Sequence, residues 1–411
     1  MRFERFSIRL RTTLTIFMLT VLAASASAAT EKVLHNFGKS GTTDGVHAGD
    51  LIFDAAGNIY GITDLGGLYG GGTVFELTPK TGGGWTYKVA YNFNPRAYNP
   101  LAGLAIDHSG NLYGTAVYGG PDNVGAVFEL IPKTGGGWTE KILHDFRKNG
   151  RDGYYSVANL VLDASGNLYG TTQMGGTHND GTVFELIPEA GGEWTEKILH
   201  DFSGKDGINP WEAGVIFDSS GNLYGTTLSG GDLTDCDGIG CGTVFELTPE
   251  AGGDWTEKVL HSFKGPDGAN PADAVTFDRS GNLYGTTYNG GHYNDGVAFE
   301  LTPKAGGGWT EKVLHSFGKN GDGINPFASL IIDGAGNLYG ATVLGGTDGD
   351  GTEFELTPKG GGWTEKVLVS FDGTDGANPY TNLILDVAGD LFGAAANGGL
   401  YGDGVVFEII P

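Results

Sequence analysis

Beyond residue 30 the chain has no stretch in which apolar residues recur at helical spacing without an interrupting Gly or Pro. A helical fold is therefore excluded. Long hydrophobic runs are missing too. The single apolar segment, Leu14 to Ala24, has about eleven residues, against the roughly 20 that a membrane span requires. Basic residues are scarce, 24 Lys and Arg against 49 Asp and Glu, for a formal charge of −25. Such a chain is repelled by nucleic acid and by anionic lipid. Signatures of catalysis are also wanting: there is no HExxH, no Ser/His/Asp pattern and no Gly-rich phosphate loop.

What is abundant is glycine, 75 residues, and it is organised. The stretch from Asn159 to Phe202 holds four short apolar runs separated by turns. The first run (NLVLD) ends in Asp163, and Gly166-Asn167 turns the chain into the second (NLYGTT). Asp accepts a backbone N–H in such a reversal, and Gly and Asn tolerate positive φ, so the pair reads as a hairpin. Asp180-Gly181 launches the third run (TVFELIP), and 189–193 turn it into the fourth (WTEKILHDF). The fourth run does not keep strict alternation, which suggests a strand covered on both faces. The unit is a four-stranded antiparallel meander.

Its G-N-[LI]-Y-G signature begins at Gly57, Gly110, Gly166, Gly221, Gly281 and Gly336, with a degenerate copy at Gly389. Repeats of 53 to 60 residues, each holding four strands, indicate propeller blades. The ends of the chain agree. Thr30–Phe37 is a fourth run without the first three, and Gly404–Pro411 is a third run without a fourth. The expected fold is all-β: a seven-bladed β-propeller of four-stranded antiparallel blades whose last blade is closed by the N-terminal strand. Closure removes the exposed edge of an open array.

Residues 1–28 differ in kind. Arg2, Arg5, Arg9 and Arg11 precede the apolar run, and Ala26-Ser27-Ala28 offers a small-residue cleavage site. This is a secretory signal, leaving 29–411 as a single domain. Loss of four Arg and one Glu takes the formal charge from −25 to −28. A secreted or periplasmic location follows, with no membrane insertion after cleavage. In an exported protein Cys236 and Cys241, close together in one loop, are expected to pair as a disulfide worth about 2 kcal/mol.

The combination GNLYGTTxxGG, GTVFELTP, GGGWTEKVLHSF and DGxNP resembles the Gloeo/Verruco (GloVer) tandem-repeat family of exported bacterial proteins. The resemblance spans essentially all of 30–411 and brings no established activity with it.

The repeated charges suit structure better than chemistry. Glu76, Glu129, Glu185, Glu246, Glu300, Glu355 and Glu408 share one position of the third strand. Lys32, Lys88, Lys141, Lys197, Lys258, Lys312 and Lys366 share one position of the fourth. A cross-strand pair in every blade, each contributing roughly 0.2–1 kcal/mol, accounts for them. The repeated His35, His144, His200, His261 and His315 sit on outer strands that point in different directions, so they cannot jointly hold one metal. Two copies carry Tyr91 and Val369 instead. The Asp that ends each first strand caps its turn, and the DGxNP links are turn formers. The acidic loops at Asp235–Asp237 and Asp348–Asp350 lack the remaining ligands of a Ca²⁺ loop. No metal, cofactor or catalytic residue is expected.

Symmetry breaks in the loops from fourth to first and from second to third strand, which share the face around the channel mouth. Arg96 and Tyr98 stand in the link into blade 2; Arg151, Tyr154 and Tyr155 in the link into blade 3; Trp211 in the link into blade 4; and His178 in blade 3. Rings and guanidinium groups on a loop face suit recognition of a glycan or a protein. Two functions are compatible. The favoured one is an exported, monomeric, non-catalytic binding or scaffold module using that face. The other is a propeller enzyme, a lyase or hydrolase of extracellular polysaccharide, which requires non-repeated ionisable groups converging in the central funnel.

Overall fold

Blade 3 shows how one copy of the repeat becomes one sheet. Its strands are Val161–Leu162, Leu168–Thr172, Thr182–Pro188 and Trp194–Asp201, hydrogen-bonded in chain order. Asp163 makes the first reversal. Its Oδ1 accepts the N–H of Ser165 (2.8 Å) and of Asn167 (2.9 Å), and its Oδ2 accepts the Asn167 side-chain amide (2.9 Å). In the second strand Gly170 faces the third-strand Phe184, where a Cβ would lie 2.8 Å from the ring. The glycine of the GNLYG signature is thus the seat of a fully buried Phe.

The broken alternation of the fourth run has a local cause. Val183 pairs with His200 but Phe184 pairs with Ile198, so Leu199 is an extra residue, a β-bulge. The bulge turns Leu199 into the core shared with blade 4, while Thr195 stays exposed. The strand is bulged rather than covered on both faces.

The computed structural model describes residues 29–319 and 321–411; the secretory signal expected at 1–28 lies outside the described residues. Seven such sheets form a seven-bladed β-propeller, with blades at 46–92, 97–145, 153–201, 208–262, 269–316 and 323–370, and a seventh from 377–410. The seventh is completed from the other end of the chain. Thr30–Asn36 lies antiparallel to Val405–Ile410, with Lys32 opposite Glu408 and Val33 opposite Phe407. The ring is then closed by packing: Phe53 and Trp85 of blade 1 meet Phe392 of blade 7 edge-on, at 5.4 and 5.9 Å.

The hydrophobic core is divided among the junctions between blades. Seven buried clusters each join residues of two adjacent blades. In each, the Phe that ends a fourth strand packs on the third-strand Phe of the next blade, as Phe202 does on Phe245 at 5.2 Å. Such ring pairs add roughly 0.5–1.5 kcal/mol beyond burial.

The Asn of DGxNP does more than turn the chain. Asn99, Asn209, Asn270, Asn325 and Asn378 all adopt φ between +53° and +61°, a region Asn tolerates. The side-chain amides of Asn270, Asn325 and Asn378 donate to carbonyls of the preceding blade (Leu228, Tyr288 and Val343). Two links replace this Asn, by His47 (φ 55°) and Tyr155 (φ 57°). These side chains hold a strained backbone without the cross-blade amide bond made by Asn99, Asn270, Asn325 and Asn378.

The Glu–Lys pairing is register-perfect in all seven blades but closes to 4.0 Å or less in five. Lys141 instead donates to the Gly192 carbonyl of the next blade. The glutamate has a second partner in the Tyr of GNLYG: Tyr113, Tyr169, Tyr224, Tyr284 and Tyr339 donate to their Glu at 2.7 to 3.4 Å. A tyrosine hydroxyl holds this position because the half-buried glutamate needs a partner out of solvent, whereas the exposed lysine is free to wander.

Candidate functional site: the central funnel

The seven links between blades converge on the axis and enclose a funnel of about 470 Å³. Each link contributes the residues just before the first strand, and the position preceding the first-strand apolar residue differs in almost every blade. It is Asp50, Gly103, Asn159, Gly214, Ala274, Ser329 and Asn382 in turn. Asp50 is the hub. Its Oδ2 accepts the side-chain amides of Asn159 (2.7 Å) and Asn382 (2.8 Å), and its Oδ1 accepts the backbone N–H of Asn382 (2.7 Å). Asn382 Oδ1 accepts the Ser329 N–H at 2.6 Å, and that N–H also lies 3.1 Å from Asp273 Oδ2. A chain of polar groups therefore runs from Asp50 to Asp273 across four blades.

Four acids of the funnel, Asp50, Asp64, Glu212 and Asp273, belong to no repeat. Glu212 is an extra residue between Pro210 and the first strand of blade 4. Burial, then the charges of Asp273 and Asp50, pushes the Glu212 carboxyl well above the usual carboxylate range. Its hydrogen bond comes from Trp211 Nε1, at 3.3 Å. Burial, then Asp50, moves Asp273 up to about 7. Burial also raises Asp50, against the pull of its Asn159 and Asn382 donors. Around one side stand Trp211, Phe327 and Tyr380, the last two edge to face at 5.6 Å. On the other side His47 Nδ1 lies 3.3 Å from Asp64 Oδ1, a contact that raises the imidazole. Of the described residues lining the funnel, His47 alone can carry positive charge.

Of the loop-face residues that break the repeat in the sequence, Trp211 lines this funnel, and so do Phe327 and Tyr380 from later links. Tyr98, Tyr154 and Tyr155 form a separate aromatic row with Tyr118. Tyr98 stacks on Tyr118 at 5.4 Å, Tyr118 meets Tyr155 at 6.0 Å, and Tyr155 meets Tyr154 at 5.2 Å. Lys148 Nζ sits 5.2 Å from the Tyr154 ring centre and 5.3 Å from that of Tyr155. Arg151 lies in an outer groove beside His144, and His178 bonds only its neighbour Thr177. Arg96 sits near Glu140, to whose environment its charge contributes. Cys236 and Cys241 are joined by a disulfide, their Cα atoms 5.3 Å apart. Sequence reasoning missed Asp50, Glu212 and Asp273. The signal was present, because aligning the seven links back from the first-strand apolar residue exposes an acid in two of them and an inserted one in a third.

No curated protein matches the chain. Among solved structures, one described as a 6-phosphogluconolactonase from Bacteroides uniformis is similar, with 14% identity and a TM-score of 0.50. The match covers 85% of this chain and 89% of that one. The extracellular domain of a one-component system from B. thetaiotaomicron is similar with 13% identity and a TM-score of 0.53, over 90% of this chain and 40% of that one. Likeness at this identity shows the propeller fold alone. Among the described residues, no helix is long and apolar enough to cross a membrane. Overlapping matches to the Gloeobacter/Verrucomicrobia repeat at residues 15–238, 134–306 and 237–411 run to the end of the chain, and the protein belongs to that repeat family.

Proposed function

We propose that this propeller is an exported binding protein whose funnel takes up a short stretch of a neutral or amine-bearing glycan. The observation that carries the reading is the pairing of Trp211, Phe327 and Tyr380 with Asp50, Glu212 and Asp273 in one cavity of about 470 Å³, a volume typical of small-molecule sites. Rings stack on the apolar faces of sugars, and carboxylates accept from hydroxyl or ammonium groups. Three buried acids, of which Glu212 and Asp273 are raised first by burial and then by acidic neighbours, gain from a cationic or donor-rich ligand and reject an anionic one. Uronates and sulfated sugars are therefore excluded. Export is part of the reading, supported by the leader pattern at 1–28 and by the 236–241 disulfide, which belongs to an oxidising compartment.

The test is an array of neutral, amino and uronic oligosaccharides probed with the mature protein, beside Trp211→Ala and Asp273→Asn. Binding confined to neutral or amino sugars and weakened at least about tenfold by either substitution supports the proposal. Equal binding by the variants, or preference for uronates, overturns it.

A second reading rests on one specific contrast. Burial raises both Glu212 and Asp50, but Glu212 has one donor to oppose the rise and Asp50 has three. Acid and carboxylate held in different protonation states are the parts of a glycoside hydrolase. The funnel suits hydrolysis better than the lyase alternative, because a lyase substrate carries the uronate that these acids repel. Release of reducing ends from a bound glycan, abolished in Glu212→Gln with binding retained, would select this reading.

A further inference from the structure

We propose that the junction between blades 2 and 3 is a binding site for a divalent transition-metal cation of the zinc class, held by His144, Asp152 and Glu196. The three come from different elements: the fourth strand of blade 2, the link that follows it, and the fourth strand of blade 3. One ligand atom from each lies within 4.8 Å of the others. His144 Nε2 is 3.4 Å from Asp152 Oδ2 and 3.5 Å from Glu196 Oε1. Metal bonds of about 2.1 Å in a tetrahedral array place neighbouring ligand atoms roughly 3.4 Å apart. The two spacings from His144 are those of such an array, and the third lies within 4.8 Å.

The second observation concerns satisfaction. His144 Nε2, Asp152 Oδ1 and Glu196 Oε1 are all buried without a hydrogen-bond partner, and Asp152 is 5% exposed. His144 Nε2 and Glu196 Oε1 face each other unpartnered, and Asp152, whose Oδ2 lies beside the same Nε2, carries its other oxygen unpartnered; buried polar atoms left so are costly unless something sits among them. One imidazole and two carboxylates form a neutral set around a divalent ion, and the mixture of nitrogen and oxygen suits zinc-like metals over calcium. Phe146 meets the His144 ring edge-on at 5.0 Å, and the Arg147 N–H donates to Asp152 Oδ2 at 2.8 Å, so two ligands are held in place. An outer groove of about 460 Å³ reaches the same residues and leaves a path for the ion and for a water as fourth ligand.

The neighbouring junction supplies a comparison. His200, Asp206 and Glu257 are also within 4.8 Å, and Glu257 Oε1 is likewise unpartnered. There, however, His200 Nε2 already lies 3.1 Å from Asp206 Oδ2, so a metal has to displace that contact and binds more weakly. In the closing junction His35 stacks on Tyr87 at 3.6 Å, and the third ligand is lost.

The experiment is calorimetric titration of chelator-treated mature protein with zinc chloride, joined by the visible spectrum of the cobalt-substituted form. One tight site, with a four-coordinate cobalt band, is expected, and a weaker second one. Glu196→Gln and His144→Ala should each weaken the tight site about 100-fold or more, and His178→Ala should leave it unchanged. Zinc should raise the melting temperature of wild type and of His178→Ala only. Glu196→Gln preserves volume and decides the question if His144→Ala does not fold. Absence of zinc uptake, or uptake unaltered in Glu196→Gln, overturns the site.

Discussion

Asn382 of blade 7 holds Asp50 of blade 1 twice, through its backbone N–H at 2.7 Å and its side-chain amide at 2.8 Å. Residues 332 apart in sequence thus meet at the axis, on the same two blades that the N-terminal strand fastens at the rim. The polar hub and the strand exchange are two locks on one ring.

The inner lock is open to test through Asn382→Ala. Removing the amide leaves a carboxylate in the funnel with fewer donors. Hydrogen bonds to charged groups contribute about 1.5–3 kcal/mol. A fall of that size in unfolding free energy is expected from denaturant titration at neutral pH. If Asp50 needs no such support, the midpoint will not move.

The outer lock depends on 30–37. Phe37 is fully buried in the core shared by blades 7 and 1, and Thr30–Asn36 covers the edge of Val405–Ile410. A mature form beginning at Lys39 exposes that edge, and open edges pair with other chains. The truncated protein should melt at lower temperature and elute from size-exclusion columns as oligomers. A monomer with unchanged melting temperature would show the ring to be closed by other means.

How far the sequence revealed this molecule depends on which residues repeat. Gly170, Asp163 and Phe184 recur because backbone geometry and packing demand the same answer in every blade, so the blade count, strand order and closure were legible. The bulge at Leu199 was not, since one extra residue looks like blurred alternation until a partner strand fixes the register. The funnel was harder still. Asp50, Glu212 and Asp273 are separated by 162 and 61 positions in the chain and meet only because seven links bend to one axis. Trp211 was found because it broke the repeat conspicuously. Tyr98 and Tyr155 broke it as well, and they pack on Tyr118 instead.

The glutamate of the third strand separates a hydroxyl contact from an ion pair. Tyr169 donates to Glu185 at 2.7 Å in a buried setting, while Lys197 Nζ lies 4.0 Å away and is partly exposed. Tyr169→Phe leaves Glu185 Oε1 with only the longer contact from the Asn167 amide (3.2 Å) and should cost about 1–3 kcal/mol. Lys197→Met should cost under about 1 kcal/mol. Thermal denaturation of the two variants reads the order directly, and a larger loss from the lysine substitution would reverse the assignment.

The acids of the funnel set a direction for pH dependence. Asp273 is raised to about 7 by burial and then by Asp50, above the 3.8 of a free side chain. A carboxyl whose folded pKa is raised binds its proton more tightly in the native state. Its stabilising contribution is therefore complete below about pH 4 and is lost as pH rises through about 7. Glu257, Glu311 and Glu365, each moved to about 7 with burial the first cause, act in the same direction, so wild type should lose stability between pH 4 and 7. Asp273→Asn removes one titrating group and leaves the others. Its melting temperature should fall less steeply over that interval, although the amide serves the Ala274 and Ser329 N–H donors less well and lowers stability at pH 4. Parallel curves for the two proteins would mean that Asp273 remains ionised in the folded funnel, and the case for a ligand that relieves its charge would weaken with it.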